Sequence, residues 1–335
     1  MRTTLTRLSC VLLLTAAGCG VHEYFRAGAH HDPRDDFGPA TELGSRVDAG
    51  VTFDAAAADA AADGGDPDAA SLPYSGPPRI VLGDKLLSKE DVVAFIHFGH
   101  SNMAGRAYSP KGEGNYFYET DPHAWMYHVG KPPELAFEPQ TAGDAKALRD
   151  HRGGPGEALL KHAIQLAPHK YFLSLGFAQT GAQCAQYLPG AVYYDSMMQA
   201  AIAVKDRVTF AAIVIMLGIT ETSETDQKGY PECIAQIVSA IRRDVDRPDL
   251  PVLLTDYERE ASDTLAVTTA FAQAIIPEIQ KVPSRVANLV LVPTDGLGMQ
   301  DDHHFDYLGH KEWTRRALEL MRSQGWFPWA EQPSE

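Results

Sequence analysis

The run Val92-Val93-Ala94-Phe95-Ile96-His97-Phe98, followed by Gly99-His100-Ser101-Asn102-Met103-Ala104-Gly105-Arg106, decides the fold of this chain. The first part is continuously apolar over the length of a strand, which predicts a strand covered on both faces of a sheet. The second part places a serine directly after that strand, among small residues that can turn sharply into a helix. This is a common placement for a nucleophile. A serine after a strand is also a frequent helix N-cap, so its position alone leaves both roles open.

Four more apolar runs of strand length follow, and they alternate with helical patterns. This alternation predicts an α/β fold with right-handed crossovers and a doubly wound, five-stranded parallel sheet. In such folds the ligand lies beyond the carboxyl ends of the strands. The other predicted strands are Tyr171–Ala178, Phe210–Leu217, Val252–Tyr257 and Asn288–Val292. The predicted helices are Gly156–Ala167, Tyr193–Asp206, Pro231–Val245 (with Pro231 in its first turn), Leu265–Gln280 and His310–Arg322.

Residues that can carry chemistry fall at those carboxyl ends. A serine hydroxyl needs a base to take its proton, and the base needs an acid to orient it. Asp301-x-x-His304 fits these two roles, because a turn of that length brings the carboxylate to one ring nitrogen and leaves the other for Ser101. We therefore predict a Ser101–His304–Asp301 triad. Asp302 and His303 are nearly as well placed as Asp301 and His304, so the choice between the two acids and between the two histidines is itself an inference. Asp306 is expected to cap the last helix.

An oxyanion must be met by donors that are in place before reaction. The expected donors are the backbone N–H of Ser101, the backbone N–H of Gly181 and the hydroxyl of Thr220. Gly181 also fits a turn that requires a positive φ, and Glu221 fits an ordinary acid at the start of a loop.

No metal site and no cofactor are expected. His97 and His100 are an odd number of residues apart on an extended segment, so they point to opposite faces. His30-His31 lies in the polar N-terminal segment. Neither pair has the arrangement of a zinc site.

The N-terminus has the features of an export signal over residues 1–18. Arg2 and Arg7 form a positive region, Leu8 to Ala17 is apolar, and Ala16-Ala17-Gly18 is followed by Cys19. This arrangement resembles a bacterial lipobox, which predicts lipidation of Cys19 and anchoring to a membrane surface. The alternative is an ordinary signal peptide followed by a chance cysteine.

Residues 19–76 have too little apolar volume to offset the entropy of ordering, so we predict a disordered acidic tether rich in Asp and Ala. Residues 77–335 are long enough for one domain with a substantial core.

The net charge of −15 argues against nucleic acid as a partner, because a basic face is missing. Cys184 and Cys233 are compatible with a disulfide in an exported protein and equally with buried thiols.

The block Gly99–Arg106 resembles the Gly-Gln-Ser-Asn-Met-x-Gly block of the sialate O-acetylesterase and acetylxylan esterase group in the SGNH hydrolase superfamily. The resemblance extends over the whole predicted domain. It implies a flavodoxin-like three-layer α/β/α sandwich, with Ser101 as nucleophile, His304 as general base and acid, and Asp301 as its orienter. The other matching segments are Gly154-Pro155-Gly156, Gln179-Thr180-Gly181-Ala182 with Tyr187-Leu188-Pro189-Gly190, and Asp301-x-x-His304-Phe305 with Gly309.

Two departures from the family pattern affect the expected activity. His100 stands where the family has Gln before the serine. At the end of the third strand the family has Trp-His-Gln-Gly-Glu, whereas this chain has Met216-Leu217-Gly218-Ile219-Thr220-Glu221. The polar oxyanion side chain of the family is therefore missing, and either Thr220 replaces it or backbone donors act alone. Residues expected to contact substrate or support the triad are His100, Asn102, Arg106 and Glu221.

The resemblance implies a carboxylic ester hydrolase that removes acetyl groups from O-acetylated carbohydrates without a cofactor. Together with the N-terminus it predicts an exported, lipid-anchored protein of the bacterial cell envelope, on the periplasmic face or the cell surface. One alternative is another SGNH activity, a lipase-like esterase or an acyltransferase, which would need a long apolar acyl pocket. A second is a catalytically weak, glycan-binding surface lipoprotein, which the altered third-strand block favours. The oligomeric state does not follow from the sequence.

Overall fold

The computed structural model describes residues 78–107, 120–136, 141–142, 153–221, 223–257, 270–301 and 303–330, with the side chains of 141–142 and 270–273 excepted. The predicted signal peptide, the lipidation site Cys19 and the tether lie outside the described residues. Among the residues that are described, no helix combines the length and apolar character needed to cross a membrane.

The core of the fold is an eight-stranded, mostly parallel sheet. Its strands are β3 (Val92–Gly99), β4 (Ala124–Met126), β5 (Glu134–Leu135), β6 (Thr141–Ala142), β7 (Tyr171–Ala178), β8 (Thr209–Met216), β9 (Val252–Thr255) and β10 (Leu289–Val292). They are ordered β10-β9-β8-β3-β7-β4-β5, and β6 also pairs with β7. Among the described strands of this sheet, β5 alone is antiparallel to its neighbour. A separate antiparallel hairpin precedes the sheet, formed by β1 (Arg79–Leu82) and β2 (Lys85–Ser88).

The α/β architecture and the five predicted parallel strands are confirmed, with end shifts of one or two residues. β4, β5 and β6 extend the sheet beyond the prediction. These strands have only two or three residues each, and such short runs carry no readable periodicity.

Helices flank the sheet in the described part of the chain. They are α1 (Ser101–Ala104), α2 (Gly156–Leu166), α3 (Tyr194–Val204), α4 (Glu224–Asp244), α5 (Ala270–Ile279) and α6 (Tyr307–Ser323). Helix α2 packs on α6, and α4 packs on α5. Asp306 caps α6 as expected, because its carboxylate accepts the Gly309 N–H at 2.6 Å.

The predicted start of α4 is wrong. The helix begins at Glu224, so Pro231 lies in its interior and not in its first turn. The signal that sets the start is Ser223, whose hydroxyl accepts the Asp226 N–H at 3.1 Å and so satisfies one of the free donors at the helix start.

Strand β3 lies at the centre of the sheet, between β7 and β8, and all eight of its residues are buried. At its carboxyl end Gly99 approaches β8 so closely that a Cβ atom would lie 2.1 Å from the Met216 carbonyl oxygen. Only glycine fits such an approach. The turn that follows β3 is therefore held against the middle of the sheet, where the carboxyl ends of β7 and β8 meet it.

Candidate active site

Ser101 is the first residue of α1 and is held by the ends of both neighbouring strands. The His100 N–H donates to the Met216 carbonyl at 3.0 Å, and the Gln179 N–H donates to the Gly99 carbonyl at 3.1 Å. The helix cap is His100, whose Nδ1 accepts the Asn102 N–H at 3.3 Å. The Ser101 hydroxyl therefore does not have the role of a cap.

His304 contacts both other members of the predicted triad, although 203 positions separate it from Ser101. Its Nε2 lies 2.9 Å from Ser101 Oγ, and its Nδ1 lies 2.8 Å from Asp301 Oδ2. A carboxylate can only accept, so Nδ1 carries the proton of the neutral ring and Nε2 presents a lone pair to the serine hydroxyl. This is the arrangement that activates a hydroxyl for nucleophilic attack.

The loop around Asp301 fixes the carboxylate before any substrate arrives. Its Oδ1 accepts the backbone N–H of His303 at 3.0 Å and that of His304 at 2.7 Å. Partial burial raises the pKa of Asp301, but the hydrogen bonds from the His304 ring and from the two backbone N–H groups outweigh it, so the pKa lies below its ordinary value. Asp301 is therefore ionised at neutral pH.

Burial is the largest influence on the pKa of His304 and lowers it below the ordinary value of 6.5. The hydrogen bond from its ring to Asp301 opposes this shift, whereas the positive charge of Arg106 adds to it. The ring is consequently neutral at pH 7, and a neutral ring is what a general base requires.

Asn102 connects the serine helix to the histidine loop. Its side-chain amide donates to the His303 carbonyl at 2.9 Å and accepts the Phe305 N–H at 3.0 Å. The side chain is fully buried. These two bonds flank His304 on the chain, so Asn102 sets the distance between His304 and Ser101 and has a supporting role.

His100 pairs with a residue that the sequence did not single out. Its Nε2 lies 3.0 Å from the Tyr257 hydroxyl, and the Tyr257 ring stacks on Phe305 with ring centres 6.1 Å apart. Burial, followed by the neighbouring His304 and His303, lowers the pKa of His100 to about 3. His100 is thus a neutral, supporting residue, and its partner could not be inferred because it lies 157 positions away.

Arg106 bonds to both the loop that follows β7 and the loop that follows β10. Its Nε and Nη2 donate to Thr180 Oγ1 at 3.1 and 2.8 Å. Its carbonyl accepts the side-chain amide of Gln300 at 2.9 Å, next to Asp301 on the chain. Gln300 had no sequence signal, because an isolated Gln in a loop carries no pattern.

Two backbone donors are available for an oxyanion. Within the described residues, no group accepts the N–H of Ser101 or that of Gly181. Gly181 has φ of 75°, a conformation that favours glycine. It lies on the loop after β7, beside the turn that holds Ser101.

The role expected of Thr220 is corrected by its hydrogen bonds. Its hydroxyl donates to the Ala182 carbonyl at 2.5 Å. A hydroxyl has a single hydrogen to donate, so Thr220 has none left for an oxyanion. Instead it ties the loop after β8 to the loop that carries Gly181.

Glu221 and the cysteines strengthen the same connection between loops. Glu221 Oε1 accepts the Cys184 N–H at 2.7 Å, and Cys184 forms a disulfide with Cys233 of α4, with Cα atoms 6.3 Å apart. Burial raises the pKa of Glu221 to about 7. Glu221 thus supports the Gly181 loop.

The histidine pair considered in the sequence for metal binding is separated in the fold. His97 Nε2 lies 2.5 Å from Ser174 Oγ inside the sheet, whereas His100 lies in the serine turn. A different group, Asp301, His303 and His304, has the proximity of metal ligands. The sequence did not indicate this group, because Asp301 and His304 fit the roles of triad members and His303 is separated from Asp301 by one residue.

One protein-family model matches most of the described fold. The family model described as "Carbohydrate esterase, sialic acid-specific acetylesterase" matches residues 91–323, which include Ser101, Asp301 and His304. No curated protein matches the chain by sequence.

Solved structures show the same fold at low sequence identity. A protein from Arabidopsis thaliana is 15% identical with a TM-score of 0.58, over 70% of this chain and 98% of its own. A carbohydrate acetylesterase from Xanthomonas citri is 14% identical with a TM-score of 0.52, over 69% of this chain and 56% of its own. NanS is 14% identical with a TM-score of 0.52, over 71% of this chain and 98% of its own.

The family match covers more than half of the chain and contains the whole sheet that carries the site. The chain belongs to the carbohydrate esterase, sialic acid-specific acetylesterase family, and it is accordingly a carboxylic ester hydrolase.

Proposed function

We propose that the protein removes acetyl groups from O-acetylated carbohydrates by a Ser101–His304–Asp301 mechanism. One observation carries this proposal: Nε2 of His304 lies 2.9 Å from Ser101 Oγ while Asp301 holds Nδ1 of the same ring at 2.8 Å. Family membership supports acetyl ester hydrolysis on carbohydrates.

In the acylation step, Ser101 Oγ attacks the acetyl carbonyl carbon as His304 Nε2 takes the hydroxyl proton. The ring becomes an imidazolium, which the ionised Asp301 stabilises. The tetrahedral oxyanion accepts hydrogen bonds from the backbone N–H groups of Ser101 and Gly181. His304 then returns the proton to the sugar oxygen, the C–O bond breaks, and an acetyl-serine remains.

In the deacylation step, a water molecule takes the place of the sugar. His304 removes one proton from this water as its oxygen attacks the acetyl-serine carbonyl. The same ring then protonates Ser101 Oγ, and acetate leaves. His304 returns every proton that it takes, so the cycle needs no cofactor.

The oxyanion hole has two backbone donors and lacks the polar side chain of the family pattern, since Thr220 donates to Ala182. The loss of one such donor costs about 10²–10³ in rate in enzymes of this kind. We therefore expect a slow esterase. The same observation favours a second candidate function, a glycan-binding protein with weak turnover.

Hydrolysis of acetyl, butyryl and octanoyl esters of one sugar or chromogenic alcohol tests the proposal. The acetyl ester is expected to be the best substrate, with a steep fall for longer chains, and Ser101→Ala is expected to abolish turnover. Ser284→Ala, which changes an exposed serine that precedes β10, is the matched control. A preference for octanoyl would indicate a lipase-like esterase, and transfer to an added sugar instead of water would indicate an acyltransferase. Saturable glycan binding with turnover unaffected by Ser101→Ala would support the glycan-binding candidate.

We also propose that the protein is exported and anchored to the cell envelope by lipid on Cys19. The support is the sequence of a charged region, a short apolar region and small residues that precede this cysteine. Metabolic labelling with a radioactive fatty acid, lost in Cys19→Ser, tests it. An unlabelled wild-type protein would contradict it.

A further inference from the structure

His303 places a third metal-binding side chain beside two residues of the proposed triad. One ligand atom each from Asp301, His303 and His304 lies within 4.8 Å of the other two. The carboxylate of Asp301 lies near both rings, with Oδ2 at 2.8 Å from His304 Nδ1 and Oδ1 at 3.8 Å from His303 Nδ1.

These distances fit a transition metal after small rotations of the side chains. Zinc binds nitrogen and oxygen at about 2.0–2.2 Å, which puts the ligand atoms of a tetrahedral site about 3.4 Å apart. Two imidazoles with one carboxylate suit Zn²⁺ and Cu²⁺, whereas Mg²⁺ and Ca²⁺ prefer oxygen ligands. Three protein ligands leave a fourth position for water.

An ion can reach this group from solvent. The side chains of His303 and Asp301 are 53% and 40% exposed. The proposed hydrolysis uses only the backbone of His303, whose N–H supports Asp301 and whose carbonyl binds Asn102. The imidazole of His303 has no role in that mechanism.

We propose that Asp301, His303 and His304 form a binding site for Zn²⁺ and similar divalent transition metal ions, and that an ion bound there inhibits the esterase. The inhibition rests on the function proposed above, whereas the metal site itself does not.

Inhibition follows from the chemistry of one imidazole ring. Neutral His304 carries its proton on Nδ1, where it bonds to Asp301. An ion that binds Nδ1 takes the electron pair at that atom, so the proton moves to Nε2. Nε2 then has no lone pair for the Ser101 hydroxyl, and His304 can no longer act as a base. No covalent bond to substrate changes, so removal of the ion restores activity.

Zinc titrations of the wild-type protein and of His303→Gln test the proposal. Each rate of acetyl ester hydrolysis is expressed relative to the same protein without zinc. Zinc is expected to inhibit the wild type, with recovery after EDTA, and His303→Gln should require at least about tenfold more zinc, since one of three ligands is lost. His169→Gln changes an exposed histidine that precedes the amino end of β7, whereas the site lies at the carboxyl ends of the strands, and this variant should behave as wild type. Equal inhibition of His303→Gln and wild type would overturn the proposal.

Calorimetric titration of zinc into Ser101→Ala separates the metal site from catalysis. We expect Ser101→Ala to bind one zinc ion per chain. The double variant Ser101→Ala/His303→Gln should not bind it. If this binding occurs but the wild type hydrolyses no ester, the proposed function fails and the metal site stands. If the wild type hydrolyses ester but Ser101→Ala shows no binding that depends on His303, the metal site is wrong and the proposed function stands.

Discussion

Nε2 of His100 lies 3.0 Å from the hydroxyl of Tyr257, and both side chains are buried next to the turn that carries Ser101. Because Nδ1 of His100 accepts the Asn102 N–H, the ring proton is on Nε2 and is donated to the tyrosine oxygen. The residue that replaces the family's Gln is therefore part of a buried pair that joins β3 to the end of β9.

Tyr257→Phe removes the acceptor for this proton and leaves a buried N–H unsatisfied. We expect the free energy of unfolding to fall by about 1–3 kcal/mol, the cost of such a group. Urea denaturation measures the change. Tyr171→Phe, which removes an exposed hydroxyl bonded to Lys85, is the control and should cost less. A Tyr257→Phe protein as stable as the wild type would contradict the pairing.

Asp301→Asn tests the orientation of His304. The amide of Asn can donate a hydrogen bond to Nδ1, which favours the tautomer with the proton on Nε2 and removes the lone pair facing Ser101. We expect kcat to fall about 10³- to 10⁴-fold while the fold is unchanged by circular dichroism. Asp295→Asn, an exposed acid before the same loop, is the control. A variant at position 301 with more than a tenth of the wild-type kcat would exclude this role for Asp301.

The pH dependence of kcat/KM reports the protonation of His304. Activity needs the neutral ring, and burial holds its pKa below 6.5. Activity is therefore lost only as pH falls through that lowered pKa, so we expect a single acid limb with its midpoint below 6.5. Glu221→Gln should leave this midpoint unchanged, because Glu221 does not contact His304. A midpoint above 6.5 in both proteins would contradict the assignment of the base.

Features that a local sequence pattern indicates could be predicted, and single contacts between distant residues without such a pattern could not. The five long strands are apolar throughout because both faces are covered, so their sequence alone indicates them. Ser101 and Asp301-x-x-His304 could be placed at one edge because carboxyl ends of parallel strands meet there. The short β4–β6 strands carried too few residues to form a pattern.

The supporting contacts of the site were beyond prediction for a related reason. Tyr257, Gln300 and the carbonyl of Ala182 act through single hydrogen bonds between distant loops. A sequence states which donors exist but not which acceptor each one meets. Thr220 is an example: the sequence shows a hydroxyl that could donate to an oxyanion, whereas in the fold this hydroxyl donates to the Ala182 carbonyl.

Glu221→Gln is expected to change the pH dependence of stability. Burial raises the folded-state pKa of Glu221 to about 7 from an ordinary 4.5. Between these values the unfolded chain releases a proton that the folded protein retains, so the wild type loses stability as pH rises from about 4.5 to about 7. Gln does not titrate and can still accept the Cys184 N–H.

We therefore expect the free energy of unfolding of Glu221→Gln to rise, relative to that of the wild type, by about 2–4 kcal/mol from pH 4.5 to pH 8. Urea denaturation of both proteins at the two pH values measures this. Glu319→Gln, a change at an exposed acid of α6, controls for the general effect of charge removal. If the difference in unfolding free energy between Glu221→Gln and the wild type is the same at both pH values, Glu221 does not titrate in this range.

Labelling with a fluorophosphonate tests the central claim, that Ser101 is a nucleophile activated by His304. The reagent forms a phosphorus–oxygen bond with an activated serine and releases fluoride. We expect one label per chain, located on the Ser101 peptide by mass spectrometry. The label should be absent in Ser101→Ala and much slower to form in His304→Ala. Hydrolysis of an acetyl ester by a wild-type protein that takes up no label, or takes it up at another residue, would contradict the account.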